Sequence, residues 1–428
     1  MLPVLVCLWQ NTLLSNMEDK LALLLRKEKV QLSGSKFQYQ KLKIVIENMQ
    51  ISQKKWTQNT GWQSLTNNTD TADLVLVFGD RKTVSNKKMF KEIKNLYKGA
   101  DVVIGSSAGN IVEEQVFDEG LCLTAIKFES SSVRCAVRHI GKTDDLYLVT
   151  EELAQEVDKE GLKHVMVFSE GLQVNGTSLV HGLRQNLPKD IAVTGGLMGD
   201  GADFKETVVG LNEAPETGNI VIVGFYGEKL SVGHGSLGGW DSFGPERLIT
   251  KSKNNVLYEL DGKPALDIYK DYLGEKAKDL PGSGLLFPLS LRIKAEEGEI
   301  EVVRTLLAIN EEEKTITFAG DMPEGTLTRL MIANFERLID GASGAANMGL
   351  GILADNRAEL VLMISCVGRK LVLNNRVEEE IEAVRDAVGP KAVMTGFYSY
   401  GEISPVTATE NQCQLHNQTM TITVFSEK

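Results

Sequence analysis

The chain is 428 residues long, with 42% hydrophobic and 24% charged residues and a formal net charge of −12. This composition is too apolar for a disordered chain, and its acidic balance argues against a general nucleic-acid binder, which needs positive charge facing phosphates. The length requires more than one ordinary core, so repeated units or several domains are expected.

Residues 1–48 differ in texture from the rest, with seven Lys/Arg against four Asp/Glu. They are expected to be an N-terminal extension, disordered or a non-native start, with the functional chain beginning near Met49. Their apolar stretch, Leu2–Trp9, is too short for a bilayer, which needs about 20 residues. It also lacks the basic region and cleavage site of a signal peptide. No membrane insertion is expected. The five cysteines (Cys7, Cys122, Cys135, Cys366 and Cys413) form no C-x-x-C pair. Reduced thiols in a cytoplasmic setting are therefore expected, with no zinc ribbon or disulfide framework.

From Met49 onward one local plan recurs three times. The first copy has an apolar strand at Asp73–Phe78, an amphipathic helix at Asn86–Lys98, a strand Asp101–Gly105, a small-residue loop and a closing strand Gly120–Phe128. The second has strand His164–Phe168, helix Thr177–Asn186, strand Ile191–Gly195, loop GLMGDG and strand Asn219–Phe225. The third has strand Glu359–Ile364, helix Arg376–Val388, strand Lys391–Gly396, loop FYSYGE and strand Thr419–Phe425. A buried strand, an amphipathic helix and a second strand make a crossover unit, which favours parallel pairing. Segments Glu301–Leu307 and Lys314–Phe318 alternate in polarity and read as antiparallel hairpins. The expected fold is α/β, with mixed sheets built from repeated strand-helix-strand units in two domains. The break is expected near Leu260–Ala265, before a helix at Ala265–Leu273.

Ligands of open α/β sheets bind beyond the carboxyl ends of the strands, so the three glycine-rich loops are the candidate sites. Loop one, Gly105-Ser106-Ser107-Ala108-Gly109, matches the G-x-S-x-G elbow of a serine hydrolase. Such an elbow would make Ser107 a nucleophile, but the Asn110–Phe117 stretch behind it is a poor helix. Loop two, Gly195 to Gly201, has neither a Walker lysine nor a dinucleotide fingerprint. Gly195 and Gly196 could supply backbone donors to a ligand.

Loop three, Gly396 to Pro405, crowds Tyr398, Tyr400 and Glu402 together, and SCVGR ends the first strand of that unit with Cys366 and Arg369. Arg369 could offer a bidentate fork to a ligand carboxylate. Glu402 could hold an ammonium group, and Tyr398 or Tyr400 could wall the pocket. Cys366 and His416 would line it. The alternative for Arg369 and Glu402 is a structural ion pair across the loop.

These residues resemble the FIST family, the F-box and intracellular signal transduction sensory domains. The resemblance rests on DLVLVF, ADVVIGSSAGNIV, AVTGGLMGDGADF, GGWDSFG, NNVLYELDGKPALDIYKDYLG, SCVGR, GFYSYGEISP and LHNQTMTITVF, in that order, over roughly residues 56–425. It implies a FIST N domain over residues 49–262 and a FIST C domain over residues 263–428. It further implies a non-catalytic sensor of a small ligand, an amino acid or other small carboxylate, acting on a separate signalling protein such as a histidine kinase. No cofactor is expected on that reading. A haem-binding nitric oxide sensor is the alternative it implies, with His234 or His416 as the candidate axial ligand.

Overall fold

The structure, a computed structural model, describes residues 49–66, 71–141, 145–295, 298–353, 355, 357–406 and 413–428. The extension expected over residues 1–48 lies outside them.

The first unit contains β1 (Gln50–Thr57), β2 (Gly61–Ser64), β3 (Leu74–Gly79), α1 (Arg81–Val84), α2 (Lys87–Leu96), β4 (Asp101–Ser106), β5 (Asn110–Val112), β6 (Gln115–Phe117) and β7 (Leu121–Lys127). The second contains β8 (Ser132–His139), α3 (Leu146–Glu156), β9 (Leu162–Ser169), α4 (Gly176–Asn186), β10 (Ala192–Leu197), β11 (Val209–Leu211) and β12 (Asn219–Tyr226). The third opens with β13 (Leu230–Leu237) and is interrupted by an antiparallel sheet. That inserted sheet holds β14 (Trp240–Lys253), β15 (Val256–Leu260), β16 (Lys263–Pro264), helix α5 (Ala265–Leu273), and then β17 (Leu289–Ala295), β18 (Gly298–Arg304), β19 (Leu306–Asn310), β20 (Thr315–Phe318) and β21 (Leu327–Ala333). The third unit resumes with α6 (Phe335–Ile352), β22 (Leu360–Cys366), α7 (Val367–Leu373), α8 (Val377–Val388), β23 (Val393–Ser399), β24 (Gly401–Pro405), β25 (Cys413–His416) and β26 (Met420–Glu427). The expected mixed α/β architecture is therefore present.

Each unit centres on one parallel pair, β3–β4, β9–β10 or β22–β23, flanked by an antiparallel closing strand. Alternation along the strands explains how these sheets pack. Leu74, Leu76 and Phe78 of β3 face one core, as do Met166 and Phe168 of β9 and Leu360, Leu362 and Ile364 of β22. The intervening residues face the other way. Val75 and Val77 meet Met89 and Ile93 of α2, while Val165, Val167, Val361 and Met363 join the core under the other helices. The three sheets thus share an inner core and carry helices outside, and strands buried on both faces read as continuous apolar runs.

Two aromatic clusters tie the units together. Phe78, Phe168 and Phe397 lie with ring centroids 4.4–6.3 Å apart. At the ends of the closing strands, Phe225 lies 6.3 Å from Phe128 and 5.0 Å from Phe425.

The outer edge of each parallel pair is covered by another unit. β11 of the second unit pairs with β4 of the first, β24 of the third with β10 of the second, and β5 of the first with β23 of the third. This cyclic exchange explains two departures from the sequence reading. Residues 110–117, a poor helix candidate in the sequence, form strands β5 and β6 because the third unit's edge needs a partner. Loop three is almost wholly strand, in β23 and β24, and loop two begins as strand, since β10 runs on to Leu197.

Candidate functional site

A cavity of about 220 Å³ opens at the carboxyl ends of β9 and β22, between the three-unit core and the inserted sheet. The core side supplies the segment 171–176, Leu197, Cys366, Val367, Gly368 and Tyr400. The inserted sheet and its connections supply Asn255, Leu285, Thr305, Leu307, Phe318 and Gly320.

Segment 171–176 is shaped by a buried acid. Glu170 accepts from the backbone of Leu172 at 2.9 Å and Gln173 at 2.6 Å, and from the Thr207 hydroxyl at 2.5 Å. Gly171 is required there, because a Cβ would lie 1.9 Å from the Met198 carbonyl oxygen. Asn175 caps α4 by accepting from Ser178 N at 2.9 Å, and its amide donates to Asp321 Oδ1 at 3.2 Å, reaching the inserted-sheet side. An aromatic pair adds to this core side. The Tyr400 ring stacks on Phe204 at 4.6 Å, and its hydroxyl bonds Asp200.

Cys366 stands on the wall of this cavity. Counting from the last residue of each first strand (Phe78, Phe168, Ile364), it occupies the place of Asp80 and Glu170. Those two acids cap loops; the third unit has a thiol instead. Burial, reinforced by the Glu402 carboxyl, pushes that thiol far above its ordinary range, so it is not a ready nucleophile. Glu402 is buried beside it. It accepts from Ser399 Oγ at 2.6 Å, Thr419 Oγ1 at 3.0 Å and Thr419 N at 3.2 Å. Burial still dominates and raises its carboxyl to about 8.

Arg369 is placed elsewhere. It is wholly buried, donates to Glu380 from Nε at 3.0 Å and Nη2 at 2.7 Å, and also meets the carbonyls of Leu338 and Gly238. Tyr398 joins this cluster, donating to Glu380 at 2.7 Å, as does Ser365 at 3.1 Å. The Arg369 fork expected to take a ligand carboxylate is thus filled by Glu380 of α8 and two carbonyls. The ion pair considered for Arg369 forms with Glu380 rather than with Glu402. Of the two tyrosines considered for the pocket wall, Tyr400 lines the cavity and Tyr398 does not.

Gly195 and Gly196 lie inside β10, laddered to β9 on one side and β24 on the other, so they form no open donor loop. The glycine at 195 serves close strand packing, because a Cβ would lie 1.9 Å from the Val167 carbonyl oxygen. The three glycines are not strictly equivalent either. Gly105 pairs with Phe78, whereas Gly195 pairs with Val167 and Gly396 with Met363, each one residue short of Phe168 and Ile364.

His416 is buried and its Nε2 meets the Ser404 carbonyl at 3.0 Å, with burial holding its pKa down at about 4. His234 is buried on β13 and pairs with Thr423 of β26. Its flanking glycines admit α6, since a Cβ at Gly233 would lie 2.0 Å from Gly349 O and one at Gly235 2.2 Å from Ala345 O. Neither histidine lines the cavity, and neither is arranged to present a nitrogen to a haem there. Ser107 lies beside a second, polar cleft of about 440 Å³ lined by Asp80, Asp118, Asp200 and Lys370. Its hydroxyl bonds Asn110 Oδ1 at 2.6 Å and the Gly79 carbonyl at 3.3 Å rather than a histidine.

Thr305, Gln418, Glu170 and Glu380 escape a reading of the sequence. Glu170 alone left a signal, an acid just past a strand end, matched by Asp80 in the first copy. The other three act through segments brought together only by folding. Among the described residues no cluster of three or more His, Cys, Asp or Glu could hold a metal ion, and no helix is long and apolar enough to cross a membrane.

No curated protein matches the chain. The crystal structure of a cyanuric acid hydrolase from A. caulinodans is similar at 9% identity, covering 83% of this chain and 90% of that one, with a TM-score of 0.31. That likeness is too weak to carry an argument. Family models match at both halves of the described chain, the FIST N domain over residues 73–263 and the FIST C domain over residues 265–405. The division between them falls at the edge of helix α5, inside the inserted antiparallel sheet. The chain therefore belongs to the FIST family, whose N and C domains are sensory signal-transduction domains.

Proposed function

We propose that this protein is a non-catalytic, cytoplasmic sensor that binds a small ligand in the cavity between the three-unit core and the inserted sheet. The observation that supports this is the cavity's composition. One wall comes from strand ends of the core and the other from the inserted sheet, so a ligand would touch both. A ligand shifts an equilibrium only between states it binds unequally, and a cleft with walls from two sheets gives it such states. At about 220 Å³ the cavity is smaller than the roughly 300–1,000 Å³ of drug-sized sites, so it suits a compact ligand. The signal would pass by contact with a separate protein, such as a histidine kinase.

Leu307 is 44% exposed at the rim, so Leu307→Trp blocks the cavity with little risk to the fold. In a thermal-shift screen of small metabolites, at least one compound is expected to raise the Tm of the native chain but not that of Leu307→Trp. A broad library with no such compound would remove the reading.

A further inference from the structure

Among the described residues, those lining the cavity include no Asp, Glu, Lys or Arg. Two polar groups, one on its wall and one directly behind it, have unused capacity. Thr305 lines the cavity and is 5% exposed, and its Oγ1 has no hydrogen-bond partner. Gln418 is wholly buried, and its amide lies against Gly368 and Leu285, both of which line the cavity. The Leu285 carbonyl accepts from Gln418 Nε2 at 3.3 Å, which fixes the amide's orientation and leaves Oε1 as an acceptor without a donor. Buried acceptors are rarely left unmatched, so each such atom asks what fills the space beside it.

We infer that the ligand is compact and uncharged, with an apolar body and an N–H or O–H group that donates to Gln418 Oε1 and meets Thr305 Oγ1. A primary carboxamide has this chemistry. The inference rests on the ligand-binding reading above and narrows its class. Burying a charge where no counter-charge lines the wall is costly. An ammonium would also face Arg304, which is buried behind Gly320. A Cβ at Gly320 would lie 2.7 Å from Arg304 Nε. Arg304 itself does not line the cavity, and its Nε donates to the Asp321 carbonyl and its Nη1 to those of Val303 and Leu415.

The test compares three probes of one shape, isovaleramide, isovalerate and isoamylamine, by thermal shift and calorimetry. Isovaleramide is expected to bind and raise Tm, and the two charged probes are not. Thr305→Val is expected to keep the unliganded Tm, and Gln418→Leu to lower it by the bond it also loses to the Leu285 carbonyl; each is expected to weaken isovaleramide by about tenfold through the lost bond to the ligand. Isovalerate or isoamylamine binding as well as the amide, or unchanged isovaleramide affinity in both variants, would overturn the inference and leave the cavity reading standing. If none of the three binds while a library compound excluded by Leu307→Trp does, the ligand class is wrong and the site is right. If nothing binds, both readings fail.

Discussion

Ser399 donates a hydrogen bond to Glu402 at 2.6 Å, and in the matching turn of the first unit Ser107 donates to Asn110 at the same 2.6 Å. The register of the parallel pairs places the two serines at one equivalent position, since Phe78 pairs with Gly105 and Ile364 with Phe397. The Ser107 hydroxyl therefore serves a turn from which the chain crosses to the next sheet. A fluorophosphonate probe is expected to leave Ser107 unlabelled. Ser107→Ala is expected to lose about 1 kcal/mol in urea unfolding, the worth of an ordinary hydrogen bond. Labelling that disappears in Ser107→Ala would instead establish a nucleophile.

Glu402 gives the protein a pH dependence of known sign. Its carboxyl is raised from 4.5 to about 8 by burial, so the folded chain holds a proton that the unfolded chain releases. The stability this group contributes is full below pH 4.5 and is lost as pH rises through about 8. His416, lowered by burial from 6.5 to about 4, acts in the opposite sense, and its contribution is lost as pH falls through that value. Glu402→Gln keeps a neutral side chain at every pH. Its unfolding midpoint should therefore fall less than that of the native chain between about pH 5 and pH 9. Parallel profiles for the two proteins would mean that Glu402 titrates normally.

Arg369 and Glu380 form an ion pair with both side chains wholly buried. Removing one member strands the other charge, so Arg369→Ala is expected to cost about 3–5 kcal/mol in denaturant unfolding. Arg369→Lys should recover only part of that, because a single ammonium cannot reach Glu380 and the carbonyls of Gly238 and Leu338 with a planar fork. A well-folded Arg369→Ala that had lost only ligand affinity would return this residue to the ligand.

The Phe78–Phe397 stack, at 4.4 Å, sits in the core that all three sheets share. Phe397→Ala is expected to cost about 3–5 kcal/mol, the range for a buried aromatic cut to alanine. Leu371, 42% exposed, is a suitable control, and Leu371→Ala should stay within about 0.5 kcal/mol. Both are read from unfolding midpoints, and equal effects would contradict the shared core.

The amino-acid sequence by itself determined the three-fold repetition. Strands such as Leu74–Gly79 and Leu360–Cys366 are buried at nearly every position, and only a continuous apolar run can satisfy both faces of such a strand. Helix α2 was legible for a similar reason, with Met89 and Ile93 at helical spacing and Asn86 as its cap. Local pattern gave only a poor helix at residues 110–117 and no strand, because β5 and β6 exist to complete the edge beside β23, and an edge partner leaves no mark on periodicity. Of the candidate pocket residues, Cys366 lines the cavity, while Glu402, expected to face a ligand ammonium, is buried beside Cys366. The sequence paired Arg369 with the wrong carboxylate because Glu402 is nearer the loop, whereas α8 turns Glu380 inward. Thr305 and Gln418 belong to segments far apart in the chain, and only the packing of the inserted sheet on the core gives them a cavity in common. Which residues repeat is written in local hydrophobicity; which of them meet is decided by burial, where a charge takes the partner that folding delivers.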